Sequence, residues 1–124
     1  MKFLTLALVA GLSAAPAFAA DGDALVPAAA SEALVAGRNA DAIRELKIAN
    51  VEEATDPSRL INLGTAYARM GDYQKAARAY YAAINSDTHY DLQVAGGVTM
   101  DSREAARLAL ANLVGHTDLR MASK

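Results

Sequence analysis

Residues 63–84 read LGTAYARMGDYQKAARAYYAAI, and apolar residues recur there at steps of three and four positions. This spacing places the apolar side chains along one side of an α-helix. The pair Gly71-Asp72 interrupts the pattern once, because glycine readily ends a helix and aspartate readily caps the next one. The stretch therefore predicts two amphipathic helices joined by a tight turn, the second running from about Tyr73 to Asn85.

The first helix of this pair has a well-marked start. Asp56 can accept hydrogen bonds from the free backbone N–H groups of the first turn, and Pro57 suits a position that needs no N–H donor. Two small residues, Gly64 and Ala76, fall where the two helices would cross. Tyr67 and Tyr80 lie three and four positions after them. Small residues opposite large ones let helix backbones approach closely, so a tightly packed antiparallel pair is expected.

A related pattern occurs 34 residues earlier in the chain. When residues 23–56 are aligned with residues 57–90, four pairs are identical: Gly37 and Gly71, Ala42 and Ala76, Arg44 and Arg78, and Ala49 and Ala83. Three further pairs are chemically similar: Val26 and Leu60, Ala30 and Gly64, and Leu46 and Tyr80. A period of this length is typical of helical repeat proteins, in which each unit is one pair of helices.

Residues 57–90 resemble a tetratricopeptide repeat. That family's pattern asks for Leu-Gly, then Tyr, a glycine at the turn, then Ala, an aromatic residue and Ala. The residues that match are Leu63, Gly64, Tyr67, Gly71, Ala76, Tyr80 and Ala83. Leu60 stands where the family usually has an aromatic residue, and Thr88 stands where it has a proline.

Residues 23–56 resemble a degenerate copy of the same repeat. Gly37, Ala42, Leu46 and Ala49 follow the pattern, whereas alanines replace the expected Leu-Gly and Tyr in the first helix. A generic alanine-rich helical hairpin is the alternative. The resemblance implies an all-α fold of about two helix-turn-helix repeats.

The period changes after the second repeat. Residues 91–100 alternate apolar with polar or small residues around a Gly-Gly pair, which predicts either a short β-hairpin or an irregular loop. A capping box from Asp101 to Glu104 then predicts a helix over residues 101–114, ending at Gly115. This helix would cover the open apolar end of the second repeat, as the last helix of a solenoid must.

The N-terminus has the features of a signal peptide. A lysine and a ten-residue apolar run over 3–12 precede an Ala-x-Ala pattern at 17–19. A membrane anchor is the alternative, but the apolar run is too short to span a bilayer. We expect residues 1–19 to be removed by cleavage after Ala19, leaving a single exported domain over residues 20–124.

The amino-acid composition indicates in which compartment the protein works and excludes some classes of partner. The chain contains no cysteine, which favours a bacterial periplasm over a secretory route where small domains are usually held by disulfides. It carries 12 basic and 14 acidic residues without long runs of one sign. Nucleic acid and anionic lipid require concentrated positive charge, so neither is an expected partner.

Sequence motifs for catalysis are missing, and no cofactor is expected. The two histidines, His89 and His116, each precede an aspartate by two residues, so a metal pair is conceivable. Both fall in expected loops without helical spacing, and exposed polar residues are the preferred interpretation. We therefore predict neither a metal site nor an enzyme.

The resemblance implies a binding surface. In tetratricopeptide proteins the first helices of successive repeats line a concave groove that holds a peptide. The second repeat would present five residues there, namely Ser58, Ile61, Asn62, Thr65 and Arg69. The lysines with which the family holds a terminal carboxylate are missing from these positions. The groove would instead suit an extended peptide or a helix of a partner, unless these residues are simply exposed positions.

The sequence therefore predicts a non-catalytic module of the bacterial cell envelope, periplasmic or secreted, that binds a protein or peptide. One alternative is a structural subunit that forms homodimers, because two repeats give only a small core. A small cell-envelope enzyme is a more distant alternative.

Overall fold

The computed structural model describes residues 18–19, 28–47, 53–93 and 97–122. Within these ranges the chain is mostly helical, in agreement with the all-α prediction, and carries a small antiparallel sheet. The helices, in chain order, are α1 (Ala28–Val35), α2 (Asn39–Lys47), α3 (Pro57–Arg69), α4 (Tyr73–Ile84) and α5 (Ser102–Ala122). A short 3-10 helix, Glu53–Thr55, precedes α3. The predicted signal peptide lies outside the described residues except for positions 18–19.

Capping residues fix the starts of α3 and α4. The side chain of Asp56 accepts a hydrogen bond from the backbone N–H of Arg59 at 2.9 Å. Asp72 accepts one from the N–H of Lys75 at 3.2 Å. Each carboxylate thus satisfies an N–H group that has no partner within its own helix, which is what a cap contributes. The predicted start of α3 and the predicted extent of α4 are confirmed.

The turns after α1 and α3 have the same geometry. Gly37 and Gly71 adopt positive φ angles of 77° and 82°. In each turn the glycine N–H bonds to the carbonyl three residues back, and the next N–H bonds to the carbonyl five residues back. This is the Schellman arrangement, in which a left-handed residue ends a helix at little cost when that residue is glycine.

Among the residues that the structure describes, two clusters of buried side chains form the core. The larger cluster joins α3, α4, α5 and the sheet, and the smaller one joins α1 and α2 to α3. Several pairs of residues 34 positions apart are buried at both members: Ala30 and Gly64, Ala42 and Ala76, and Leu46 and Tyr80. Helices that are adjacent in sequence are therefore packed together, and each of the two pairs α1–α2 and α3–α4 contributes its own buried layer.

The sheet has three short strands, β1 (Phe18–Ala19), β2 (Asp91–Gln93) and β3 (Thr99–Asp101). All neighbours are antiparallel and the order is β1-β2-β3, so β2 is central. The sequence analysis left a hairpin and an irregular loop open for residues 91–100, and the antiparallel pairing of β2 with β3 selects the hairpin. Leu92 is fully buried and ties the hairpin to the larger core cluster, which provides the support that an isolated pair of strands lacks.

Helix α5 is longer than predicted. It runs 21 residues and passes through Gly115, where the sequence analysis ends it. A glycine inside a helix costs about 1 kcal/mol relative to alanine. Packing of α5 on α4 offsets this cost, and beyond the glycine Thr117 bonds back to the carbonyl of Leu113 at 2.9 Å. Among the described residues no helix has both the length and the apolar character needed to cross a membrane.

Candidate functional site

Four of the five residues predicted to line the peptide groove are buried in the structure. Ser58 and Asn62 are 0 % exposed, Thr65 is 2 % exposed and Ile61 is 5 % exposed, while Arg69 is half-buried. The prediction that these side chains face an open groove is wrong for the first four. A helical period assigns residues to one side of a helix, but it does not say what packs against that side.

Two of the predicted residues connect parts of the fold. The hydroxyl of Thr65 lies 3.2 Å from the hydroxyl of Tyr80, between α3 and α4. The guanidinium of Arg69 donates to the carbonyl of Leu34 at 2.9 Å, and its Nη1 lies 3.5 Å from Oδ1 of Asn39. Burial raises the pKa of Tyr80 and lowers the pKa of Arg69. Arg69 therefore fastens the end of α3 to the turn between α1 and α2.

A buried polar cluster joins the start of α3 to the segment before β2. Ser58 donates to Oδ1 of Asp56 at 2.7 Å, and the hydroxyl of Tyr90 donates to Oδ2 of the same carboxylate. The Tyr90 hydroxyl also lies 3.2 Å from the Ser58 hydroxyl. Burial, and next the bond to Asp56, raise the pKa of Tyr90 to about 12. These three residues form one hydrogen-bonded group around a carboxylate that is 4 % exposed.

The same region carries a second set of bonds that reach α5. The Ser86 hydroxyl donates to the carbonyl of Thr55 at 2.8 Å, and Arg103 donates to the carbonyl of Ser86 at 3.1 Å. The N–H of Tyr90 donates to the hydroxyl of Ser102 at 3.2 Å. The segment between α4 and β2 is thus tied to the starts of α3 and α5. This polar region holds three elements together, and the sequence analysis did not identify it.

The two histidines lie in different parts of the fold. Nδ1 of His89 is 2.8 Å from Oδ2 of Asp101, the residue just before α5. His116 lies on α5, and its ring centroid is 5.8 Å from that of Tyr73. These contacts differ from the conceivable metal pairs of the sequence analysis, in which His89 would act with Asp91 and His116 with Asp118. Within the described ranges, no group of three or more His, Cys, Asp or Glu side chains is arranged to hold a metal ion.

An open groove lies between α4 and the second half of α5. Its volume is about 290 Å³. The residues that line it are Tyr73, Gln74, Ala77, Leu113, Val114, Thr117 and Asp118. The lining is largely apolar, and Val114 is 52 % exposed within it. The sequence analysis missed this groove because half of its wall belongs to the part of α5 around and beyond Gly115.

Exposed apolar side chains continue from the groove along α5. Val114 and Met121 are 52 % and 72 % exposed, and they are seven residues apart. Seven residues are about two helical turns, so both lie on one side of the helix. Leu108 is also exposed, at 48 %, but it lies one turn or more before the groove and outside its lining. Val114 and Met121 therefore place exposed apolar surface on the C-terminal half of α5.

The chain matches no model of a protein family, no curated protein and no solved structure. A function for the chain must therefore be inferred from its own residues.

Proposed function

We propose that this protein is a non-catalytic interaction module of the bacterial periplasm, built from two tetratricopeptide-type repeats, which binds a protein or peptide. One observation carries the proposal of a repeat. The two turns at Gly37 and Gly71 have similar positive φ angles and the same bonding pattern, and they are 34 residues apart. A shared period in both sequence and backbone geometry is characteristic of a repeat protein.

The packing of the two helix pairs supports the same proposal. Ala30 and Leu46 stand at the positions that Gly64 and Tyr80 occupy in the second pair, and all four are buried. Each pair thus combines a small residue on its first helix with a large one on its second. Helix α5 contacts both α3 and α4, as the first helix of a following repeat would. It thereby shields most of the apolar end of the second pair, which a solenoid requires.

Within the part of the chain that the structure describes, we assign the partner to the groove between α4 and α5. Its apolar walls would receive apolar side chains, while Gln74 and Asp118 would supply hydrogen-bonding groups at specific points. A few placed polar groups in an otherwise apolar groove give orientation as well as affinity. Since Asn62 and Thr65 are buried, the partner is assigned to this groove and not to the five residues predicted on α3.

A matched pair of variants tests this assignment. Val114→Glu places a charge in the groove, whereas Leu108→Glu places the same charge on the same helix outside it. The processed protein, purified from the periplasm with each substitution, is used to capture partners from envelope extract. A partner that wild type and Leu108→Glu retain, and that Val114→Glu loses, supports the proposal. Equal capture by all three proteins contradicts the groove assignment.

Self-association is the second candidate function, and the exposed Val114 and Met121 favour it. Two copies that met along α5 would cover both side chains without another partner. Sedimentation of the purified protein separates the two candidates. A dimer that becomes a monomer with Met121→Glu supports a structural, self-associating role, whereas a monomer at all concentrations excludes it.

A further inference from the structure

Strand β2 is central in the sheet only because residues 18–19 pair with it. Phe18 lies opposite Gln93 and Ala19 lies opposite Leu92, while β3 pairs with the other edge of β2. Ala19 is also the last residue before the predicted cleavage position. Removal of residues 1–19 would therefore remove all of β1 and open one edge of β2.

The backbone groups that β2 directs toward this edge can be identified. The N–H of Ser102 bonds to the carbonyl of Tyr90 at 2.9 Å, and the N–H of Tyr90 bonds to the Ser102 hydroxyl at 3.2 Å, so these residues occupy a hydrogen-bonding position of the ladder. Hydrogen-bonded and non-hydrogen-bonded pairs alternate along an antiparallel ladder. Leu92 therefore bonds toward Met100 of β3, and Gln93 directs its N–H and carbonyl toward the edge that Phe18 occupies.

We propose that in the processed protein this edge of β2 binds an extended segment of a partner polypeptide, which adds to the sheet as an antiparallel strand. The inference rests on the proposed export, from which it takes the removal of residues 1–19. The chain itself supplies the evidence for the occupant, because it seats an extended segment on this edge. An unpaired edge is a ready template for another strand, and strand addition is a recurring mode of peptide binding.

The fold also sets a requirement for the partner segment. Leu92 is fully buried, and a residue directly opposite it in the ladder lies on the same face of the sheet. In this chain the residue opposite Leu92 is Ala19, so the edge accepts a small residue at that position. The neighbours of Leu92, Asp91 and Gln93, are exposed, so the next positions of the partner segment are not restricted in size.

A peptide that copies the chain's own strand is the probe. It spans residues 14–22, AAPAFAADG, and is added to the processed, isotope-labelled protein from the periplasm. We expect saturable shifts of the amide signals of residues 91–93 and slower hydrogen exchange at the N–H of Gln93. N-methylation of the peptide at its Phe18 should weaken binding about tenfold or more, since it removes a ladder bond. N-methylation at its Ala19 should leave binding unchanged.

Two protein variants test the edge from the other side. Gln93→Pro removes the N–H that faces the edge and leaves the pairing with β3, because proline is tolerated on an edge strand. Gln93→Ala keeps that N–H and serves as the control. We expect Gln93→Pro to lose peptide binding and Gln93→Ala to keep it. If Gln93→Pro does not fold, binding of the two N-methylated peptides to the wild-type protein tests the edge instead.

Three outcomes would overturn the inference. The first is an unchanged amide spectrum at saturating peptide, and the second is a purified protein whose mass shows that residues 18–19 are retained. The third is a concentration-dependent dimer that pairs through residues 91–93 and excludes the peptide, which would assign the edge to a second copy. The Val114→Glu variant keeps the edge intact, so loss of groove binding and loss of strand addition are measured separately.

Discussion

The ring of Tyr80 fills the space that a side chain at Gly64 would need. A Cβ at residue 64 would lie 2.5 Å from Cε1 of Tyr80 and 2.7 Å from its Cδ1. Tyr80 is 3 % exposed and its hydroxyl lies 3.2 Å from that of Thr65, so its ring has little room to move. We expect Gly64→Ala to lower the free energy of unfolding by about 1–3 kcal/mol, the usual cost of overpacking a core. Urea denaturation at neutral pH measures this cost.

The first helix pair suggests the control for this variant. There an alanine, Ala30, is accommodated with Leu46 at the position equivalent to Tyr80. Tyr80→Leu should be destabilising alone, because it leaves Thr65 without its hydroxyl partner. Combined with Gly64→Ala it should cost less than the sum of the two single variants, since the clash is gone. If the free-energy changes of the two single variants simply add, a Cβ at residue 64 does not clash with the ring of Tyr80.

Much of the fold could be predicted from short-range features. The cap at Asp56 and the turn at Gly71 each depend on a few neighbouring residues, and both are confirmed. For residues 91–100 the sequence left a hairpin and a loop open, and the pairing of β2 with β3 selects the hairpin. The end of α5 was predicted wrongly because packing on α4 outweighs the low helix propensity of Gly115. The exposure of Ser58, Asn62 and Thr65 was predicted wrongly for a related reason. Both depend on contacts between distant segments, which a local pattern does not contain.

Replacing glycine by alanine should lower the stability of the fold at a turn with a positive φ angle and raise it inside a helix. A Cβ meets no atom within 4 Å at Gly37, Gly71 or Gly115, so steric contact does not distinguish these sites. Gly37 and Gly71 have positive φ angles, and Gly115 lies inside α5. Gly37→Ala and Gly71→Ala should each destabilise by about 1 kcal/mol, whereas Gly115→Ala should stabilise by about 0.5–1 kcal/mol. Thermal unfolding gives all three signs, and a stabilising Gly71→Ala would contradict the turn geometry.

The hydroxyl of Tyr90 should contribute to stability in a pH-dependent way. Tyr90→Phe removes its bonds to Asp56 and Ser58 and should destabilise by about 1–2 kcal/mol at neutral pH. The pKa of Tyr90 is raised to about 12 in the folded protein, above the value of about 10 in an unfolded chain. The contribution is therefore fully present below about pH 10 and is lost as the pH rises through about 12.

Absorbance of the phenolate during an alkaline titration checks this pKa. Burial raises the pKa of Tyr80 as well as that of Tyr90, so both should contribute to a late step. Tyr90→Phe should reduce the amplitude of this step by one tyrosine. Tyr81→Phe is the control, because Tyr81 is exposed and belongs to another surface. If the late step keeps its full amplitude in Tyr90→Phe, the Asp56 cluster does not hold the phenol of Tyr90 in its protonated form.

The carboxylate of Asp101, just before α5, should make a pH-dependent contribution to the stability of the fold. Its carboxylate accepts bonds from Nδ1 of His89 at 2.8 Å and from the N–H of Arg103 at 2.9 Å. The bond to His89, and next the bond to Arg103, lower the pKa of Asp101. A lowered carboxyl pKa contributes stability above its unfolded value of about 3.9, and the contribution disappears as the pH falls through the lower folded value.

The variant Asp101→Ala tests this link. It should unfold at lower urea concentration than wild type at neutral pH, and the difference should shrink at a pH well below 3.9. The matched control is Asp87→Ala. Asp87 is an exposed aspartate in the segment between α4 and β2. A difference between Asp101→Ala and wild type that stays constant down to acid pH would mean that the carboxylate is not the group responsible.

Arg69 distinguishes the sequence-based binding site from the structural role that its contacts indicate. As a groove residue, Arg69→Ala would weaken partner binding and leave the fold unchanged. The bond from its guanidinium to the carbonyl of Leu34 predicts the reverse, a loss of about 1–2 kcal/mol of stability. Arg107→Ala, on an exposed part of α5, removes the same charge without this bond. Urea denaturation and partner capture on both variants decide between the two roles, because unchanged stability with lost capture would restore Arg69 to the binding site.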